Sequence, residues 1–265
     1  MMRSFTFDAA KKTIHGKFKP SSRAEMEFAR QLKKVAKASA GIVNSHVDGV
    51  DIRDTDEMMK ILRDYAKRLE PWARRQAEKL VSEVERSNKR AYAMKSKELG
   101  GLLKQEIYNS RVGLEALAKI TEQVELIKSI PIELGLRAQG IAFRAATEGR
   151  RAEPDKDIID SLINEMGMTE EVATNRARLI ARTETARATA AINQDRAVQA
   201  GSIQYRWRNA GDAAVRDSHK YLHGKPLNGQ VFYWSDPPTL DDGMTGHPGT
   251  FPNCRCYAEP VFLDE

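Results

Sequence analysis

Cysteine is the scarcest reactive chemistry in this chain: 265 residues contain only Cys254 and Cys256. So few exclude a multi-disulfide scaffold and point to synthesis in a reducing compartment. No run of about 18 apolar residues occurs, the length a membrane-spanning helix requires. The opening stretch MMRSFTFDAAKKTIHGKFKP has no apolar segment followed by small residues, so no secretory signal is expected. Phosphate-loop chemistry is missing too, because GRRAEP and NAGDAA lack the Lys-Ser/Thr ending. No Ser-centred nucleophile elbow is present.

What is present is enough for real cores and a wet surface. Hydrophobic residues make up 41% and charged residues 30%, and mean hydropathy is −0.56. The net charge of +6 is unevenly placed: residues 1–150 carry +10 and residues 151–265 carry −4. A basic half suits nucleic acid or an acidic protein surface. The plain alternative is a solvated, Lys/Arg-rich helical surface.

The chain reads as α+β. A mainly α-helical N-terminal half with long amphipathic helices (1–150) precedes a small C-terminal α+β domain with a short sheet (151–265). Residues 1–20 are irregular. Ser21 or Ser22 then caps a helix that Gly41 is expected to stop. Met58, Leu62, Tyr65, Leu69 and Trp72 recur at helical steps, and Ala73, Ala77, Leu80 and Val84 continue the stripe beyond Pro71. Pro71 starts a new helix or kinks a long one. A second stripe runs from Leu103, Ile107 and Val112 through Leu114, Leu117, Ile120, Val124 and Ile127. SIPIEL is expected to break it, with Leu136, Ile141, Phe143 and Ala146 on a further short helix. TEGRRAEPDKD, residues 147–157, is the expected boundary.

Beyond that boundary, Ile158, Ile159, Leu162 and Ile163 suit a short helix. Thr169 is placed to cap a long alanine-rich helix ending at Gly201, with Glu170 and Glu171 at its positive end. SIQYRWRNA alternates Ile203, Tyr205 and Trp207 with polar residues, a strand pattern. Asp212 is placed to cap a helix through AAVRDSHKYL. Val231–Trp234, after the turn pair Asn228-Gly229, and CRCYAEPVF suggest two more strands.

The stretch GHPGTFPNCRCYAEP gathers both cysteines behind His247, and His219 and His223 lie not far upstream. On a strand, side chains at i and i+2 share a face, so both thiols of Cys254 and Cys256 would reach one point. Two sulfurs with His219 and His247 suit tetrahedral zinc, although one residue between cysteines is shorter than the usual zinc-finger spacing. Two other readings stand beside it: both cysteines as small core residues, or a strained Cys-X-Cys disulfide. His223 is a weaker ligand candidate, because HGK reads as a turn. Arg182, Glu184, Asp217, His219 and His247 together offer an enzymatic alternative, a metal-dependent nuclease site.

LIARTETARATAAINQDRAVQAG, then YRWRNAGDAAVRDSHKYLHGKPL, then HPGTFPNCRC, resemble in order the Mu F-like phage head-morphogenesis (minor capsid) family. The resemblance covers about residues 155–262. It rests on ARTE within a helix, the Arg216-X-X-His219 step, the His223-Gly224 turn and the closing CRC. Family members often place a histidine three residues before the first cysteine, where this chain has Phe251. The resemblance implies a virion component in few copies that binds the portal protein and is needed for head assembly. It implies no enzymatic activity, a cysteine and histidine pattern suited to metal, and for some relatives a contact with DNA. Major capsid or scaffold protein and non-specific double-stranded DNA are the other expected partners, and no membrane is. The implied location is the capsid interior near the portal vertex, and the host cytoplasm during assembly. The basic helical half lies outside the resemblance. Its charge suits an arm against acidic portal surface or packaged genome.

Overall fold

The computed structural model describes residues 18–49, 51–52, 54–99, 114–150, 155–222 and 231–262. The readings for residues 1–17, Gly100 to Val112, His223-Gly224 and Asn228-Gly229 lie outside these. The described elements are six helices and two small antiparallel sheets. Helices α1 (Ser22–Asn44), α2 (Thr55–Leu99) and α3 (Leu114–Gly149) are followed by α4 (Lys156–Gly167), α5 (Thr169–Gln199) and α6 (Asp217–Leu222). A hairpin pairs β1 (Val47–Asp48) with β2 (Asp51–Ile52). Near the C-terminus β3 (Gln204–Arg208) lies between β4 (Phe232–Tyr233) and β5 (Tyr257–Val261). The fold is α+β and mainly helical, as periodicity predicts. No helix among the described residues is long and apolar enough to cross a membrane.

The compact units cut across the boundary read at residues 147–157. One unit, here the helical unit, comprises Met26–Lys79 and Ile120–Ala181. The other, the sheet unit, takes Met1–Glu25, Leu80–Lys119 and Arg182–Glu265.

In the helical unit the predicted stripes become core. Met58, Leu62, Leu69, Ala73 and Ala77 of α2 are buried, as are Val124, Ile127, Ile130, Leu134 and Ile141 of α3. Tyr65 and Trp72 are half-buried. At Gly135 an added Cβ would sit 2.5 Å from Met59 Sδ and 2.6 Å from Leu62 Cδ1, so α3 presses its backbone onto α2 there. Two expected breaks do not occur: Gly41 lies inside α1 and Pro131 inside α3. Pro71 lies within the single long helix α2, the second of its two readings. An interior proline forfeits a hydrogen bond and costs about 3 kcal/mol. Here the apolar stripe continues on both sides of each, from Leu69 to Ala73 and from Ile130 to Leu134. Burial of that stripe outweighs the local penalty. Leu136 and Phe143 belong to α3 itself and face outward.

The caps also differ in detail. Asp155 starts α4 by accepting the amides of Asp157 and Ile158. Thr169 opens α5, but its hydroxyl donates back to the Met166 carbonyl rather than capping.

In the sheet unit α5 ends as expected. Gly201 adopts φ +82, and Ser202 N–H donates to Ala197 O at 2.9 Å, a Schellman closure that favours glycine. Tyr205 and Trp207 of β3 are fully buried, while Ile203 falls before the strand and is 57% exposed. Instead its carbonyl accepts the Trp234 amide at 3.2 Å. Asp212 caps only a turn through Ala214, and the helix α6 starts at Asp217. A buried polar network ties α2, α5 and β5. Asn88 donates to Asn193 at 3.2 Å, Tyr92 donates to the Asn193 carbonyl at 3.0 Å, and Asn193 donates to Ala258 O at 2.9 Å. The fully buried Arg196 donates to Asn88 and lies 5.9 Å over the Tyr92 ring.

Candidate metal centre

The two cysteines do not lie on a strand. Residues 254–256 precede β5, in a turn where Cys254 N–H donates to Phe251 O at 3.2 Å. The thiols nevertheless converge, because the turn folds Cys256 N–H back onto Cys254 Sγ at 3.4 Å. Helix α6 supplies the third group. Its first turn is set by Arg216, whose carbonyl accepts the His219 amide at 3.0 Å. His219 Nδ1 lies 3.5 Å from Cys254 Sγ and 3.4 Å from Cys256 Sγ. All three side chains are buried, and both cysteines are free thiols.

Three hydrogen bonds to α5 hold this turn. Arg182 donates to Asn253 Oδ1 at 3.2 Å and to Glu25 at 3.2 Å. Thr183 accepts the Asn253 amide at 2.9 Å, which fixes Asn253 at φ 57. Arg187 donates to Thr250 O at 3.0 Å and to the buried Glu184 at 3.2 Å. Gly249, at φ +93, leaves no room for a side chain: a Cβ would meet Cys256 O at 3.1 Å and Ala186 O at 3.2 Å. The ARTE segment is therefore a bracket for the cysteine turn. Around the imidazole, Trp207 stands edge-on at 5.6 Å and Phe251 lies at 5.2 Å.

The two thiols act as one titrating pair. The hydrogen bond from Cys256, with help from His219 and the Cys256 and Gly249 amides, holds Cys254 down to about 4 despite burial. Cys256 is pushed up by its bond to that thiolate, by burial and by repulsion from it. These contacts favour the thiolate form of Cys254 over that of Cys256. A zinc ion at about 2.3 Å from sulfur and 2.0 Å from nitrogen, in tetrahedral array, would set S and N about 3.5 Å apart. The two observed distances fit. A small cavity of about 40 Å³, lined by Arg216, Asn253 and Arg255 among others, adjoins the three donors. It has room for a water-sized ligand at a fourth position. His219 Nε2 is buried without a hydrogen-bond partner among the described residues.

The structure brings together three of the four residues read as ligands, and His247 is not in the group. Its Nδ1 is 2.9 Å from the Tyr205 hydroxyl, and its ring lies against Tyr205 and Trp234. Burial lowers its basicity. The nuclease set is likewise dispersed. Asp217 is 97% exposed and pairs with Lys220 at 2.8 Å, while Arg182 and Glu184 serve the bracket. Sequence reading did not single out Thr183, Asn253 or Gly249. The Pro252-Asn253 pair is a turn signal that pointed toward one of them.

Fold and site define a class: a short antiparallel sheet backed by a long helix and closed by a buried thiol–imidazole cluster. Residues 144–259 match the family model described as Phage Mu protein F like protein. This match supports the resemblance carried by the ordered motifs over the same stretch of the chain. The chain is also similar to a Haemophilus influenzae protein described as uncharacterized, 29% identical over 263 residues. That alignment takes in 92% of this chain but 55% of the relative, so the chain spans about half the relative's length. No solved structure matches.

Proposed function

We propose that this chain is a phage head-morphogenesis protein, a non-enzymatic assembly factor that acts at the portal inside the procapsid in few copies. The observation that carries the reading is the Mu F-like match over residues 144–259, whose motifs converge on one buried site. Cys254, Cys256 and His219 hold zinc in this reading, and the metal's chemistry is structural. It cross-links the end of the sheet to α6 in a unit with a modest core. A site of about 40 Å³ supports a staple rather than catalysis, since substrate pockets are typically several hundred Å³. The bracket roles of Arg182 and Glu184 support the same choice. Contact with double-stranded DNA in the filling head belongs to this reading, on the strength of the basic first half.

Co-expression with the portal protein alone, followed by co-purification, tests the proposal. A stable complex is expected. A protein that never binds portal but coats the shell in hundreds of copies would instead be a scaffold or decoration protein.

A further inference from the structure

The helical unit carries a charged face that neither the family match nor the metal centre uses. Between residues 60 and 75 of α2, the exposed positions include Lys60, Arg63, Lys67, Arg68, Arg74 and Arg75. At 100° per residue these six fall on the side opposite the buried Met58, Leu62, Leu69 and Ala73. They span about 22 Å at 1.5 Å per residue. Among the described residues, Lys60, Arg63, Arg68, Arg74 and Arg75 have no acidic partner, while Lys67 reaches Asp64 only at 3.9 Å. The nearby Glu70 is engaged by Lys128 at 3.0 Å.

We infer that this face of α2 binds the phosphate backbone of duplex DNA without reading its sequence. Four of the six cations are arginines, whose planar forks match phosphate oxygens. The exposed positions from 60 to 75 carry charges and Pro71, with no exposed apolar or aromatic side chain among them. A protein partner would need such anchors at the centre of its interface. A face on which six cations outnumber the exposed carboxylates Asp64 and Glu70 keeps a net positive charge, which suits a uniform polyanion. The inference rests on the reading that the protein works beside the genome, and it adds the surface.

The test is fluorescence anisotropy of a labelled 20-base-pair duplex with the full chain. Six phosphate contacts give a weakening of roughly a thousand-fold between 50 and 200 mM salt. The variant R63Q/R68Q/R74Q/R75Q is expected to bind far more weakly and to lose only about ten-fold over the same salt range, as two remaining contacts dictate. A control removing equal charge from elsewhere, K19Q/R23Q/K33Q/K34Q, is expected to keep most of the affinity. The all-lysine variant at the four arginine positions retains the salt dependence, which separates lost charge from misfolding. Equal losses in the two glutamine variants overturn the assignment to this face. So does absence of binding at 50 mM salt, or a face that captures poly-glutamate but not the duplex. Portal co-purification is independent of every one of these outcomes, so failure here leaves the assembly reading to its own trial.

Discussion

The two compact units solve the same stability problem by different means. The helical unit buries stripes of Met, Leu, Ile and Ala on α2 and α3, and each contact follows from local helical spacing. The sheet unit buries Asn88, Asn193, Arg196, Glu184 and the Cys254–Cys256–His219 cluster among its aromatics. Its contacts are polar, long-range in sequence and geometrically exacting. Burial of apolar area degrades gradually when perturbed, whereas a buried polar network fails sharply when one member is lost. The helical unit should therefore be tolerant and the sheet unit brittle.

The largest effect expected is from removing the proposed metal donors. His219→Ala or Cys256→Ser, or a chelator added to metal-loaded protein, should abolish hydrogen-exchange protection through residues 202–262. Residues 55–79 and 120–149 should keep theirs. Structural zinc contributes on the order of 10 kcal/mol in small metal-dependent folds, more than a small unit's whole stability. Acidification should act in the same direction, because protons compete with metal for the thiolates. Uniform loss of protection in both units would break the comparison. Purified protein with no stoichiometric metal, yet normally folded under reducing conditions, would leave the cysteines a packing role alone.

Next come two glycines, one in each unit. Gly249→Ala meets backbone carbonyls, which cannot yield, at a left-handed φ. A loss of about 3 kcal/mol is expected from overpacking and strain together. Gly135→Ala meets the flexible ends of Met59 and Leu62, and gains helix propensity of about 1 kcal/mol. Its net cost should be about 1 kcal/mol. Denaturant melts of the two variants measure the contrast, and a costlier Gly135→Ala would invert it.

The bracket follows. Glu184→Gln leaves Arg187 without its buried carboxylate and should cost about 1–3 kcal/mol. Arg182→Ala removes partly exposed contacts and should cost about 1 kcal/mol or less. Thermal melts record both. A fully stable Glu184→Ala protein that had lost a measurable nuclease activity would restore the enzymatic reading.

The same contrast explains what the sequence disclosed. The α2 stripe, the Gly201 closure and the burial of Tyr205 and Trp207 were legible because each depends on period or on one backbone angle. The breaks expected at Gly41 and Pro131 were not real, and Pro71 did not start a new helix, since tertiary burial overrides a local penalty that sequence windows weigh alone. At the site, Cys254, Cys256 and His219 were named correctly as neighbours, but for a reason the structure replaces: a turn, not a strand, aims the two thiols. His247 was drawn in by its proximity along the chain. The aromatic partners Tyr205 and Trp234, distant in sequence, hold it elsewhere. Thr183 and Asn253 meet across 70 residues, and no local pattern announces such a pair.

The last effect concerns Phe251, the position at which the resemblance to the Mu F-like family implies a histidine. Its ring is buried, 5.2 Å from the His219 ring and 6.4 Å from Trp207. Phe251→His trades apolar packing for a nitrogen next to the three donors. Without metal, a buried imidazole lacking a partner should cost about 1–3 kcal/mol. With metal, the new nitrogen can take the fourth position, so the cost should be largely recovered. Competition with a chelator at fixed pH reads the difference: tighter metal retention in the variant, alongside a lower melt of the metal-free form. Both changes together would show that the sheet unit's brittleness is a matter of donor supply. A lower melt with unchanged retention would make Phe251 a packing residue, with the fourth position left to a small ligand from the adjoining cavity.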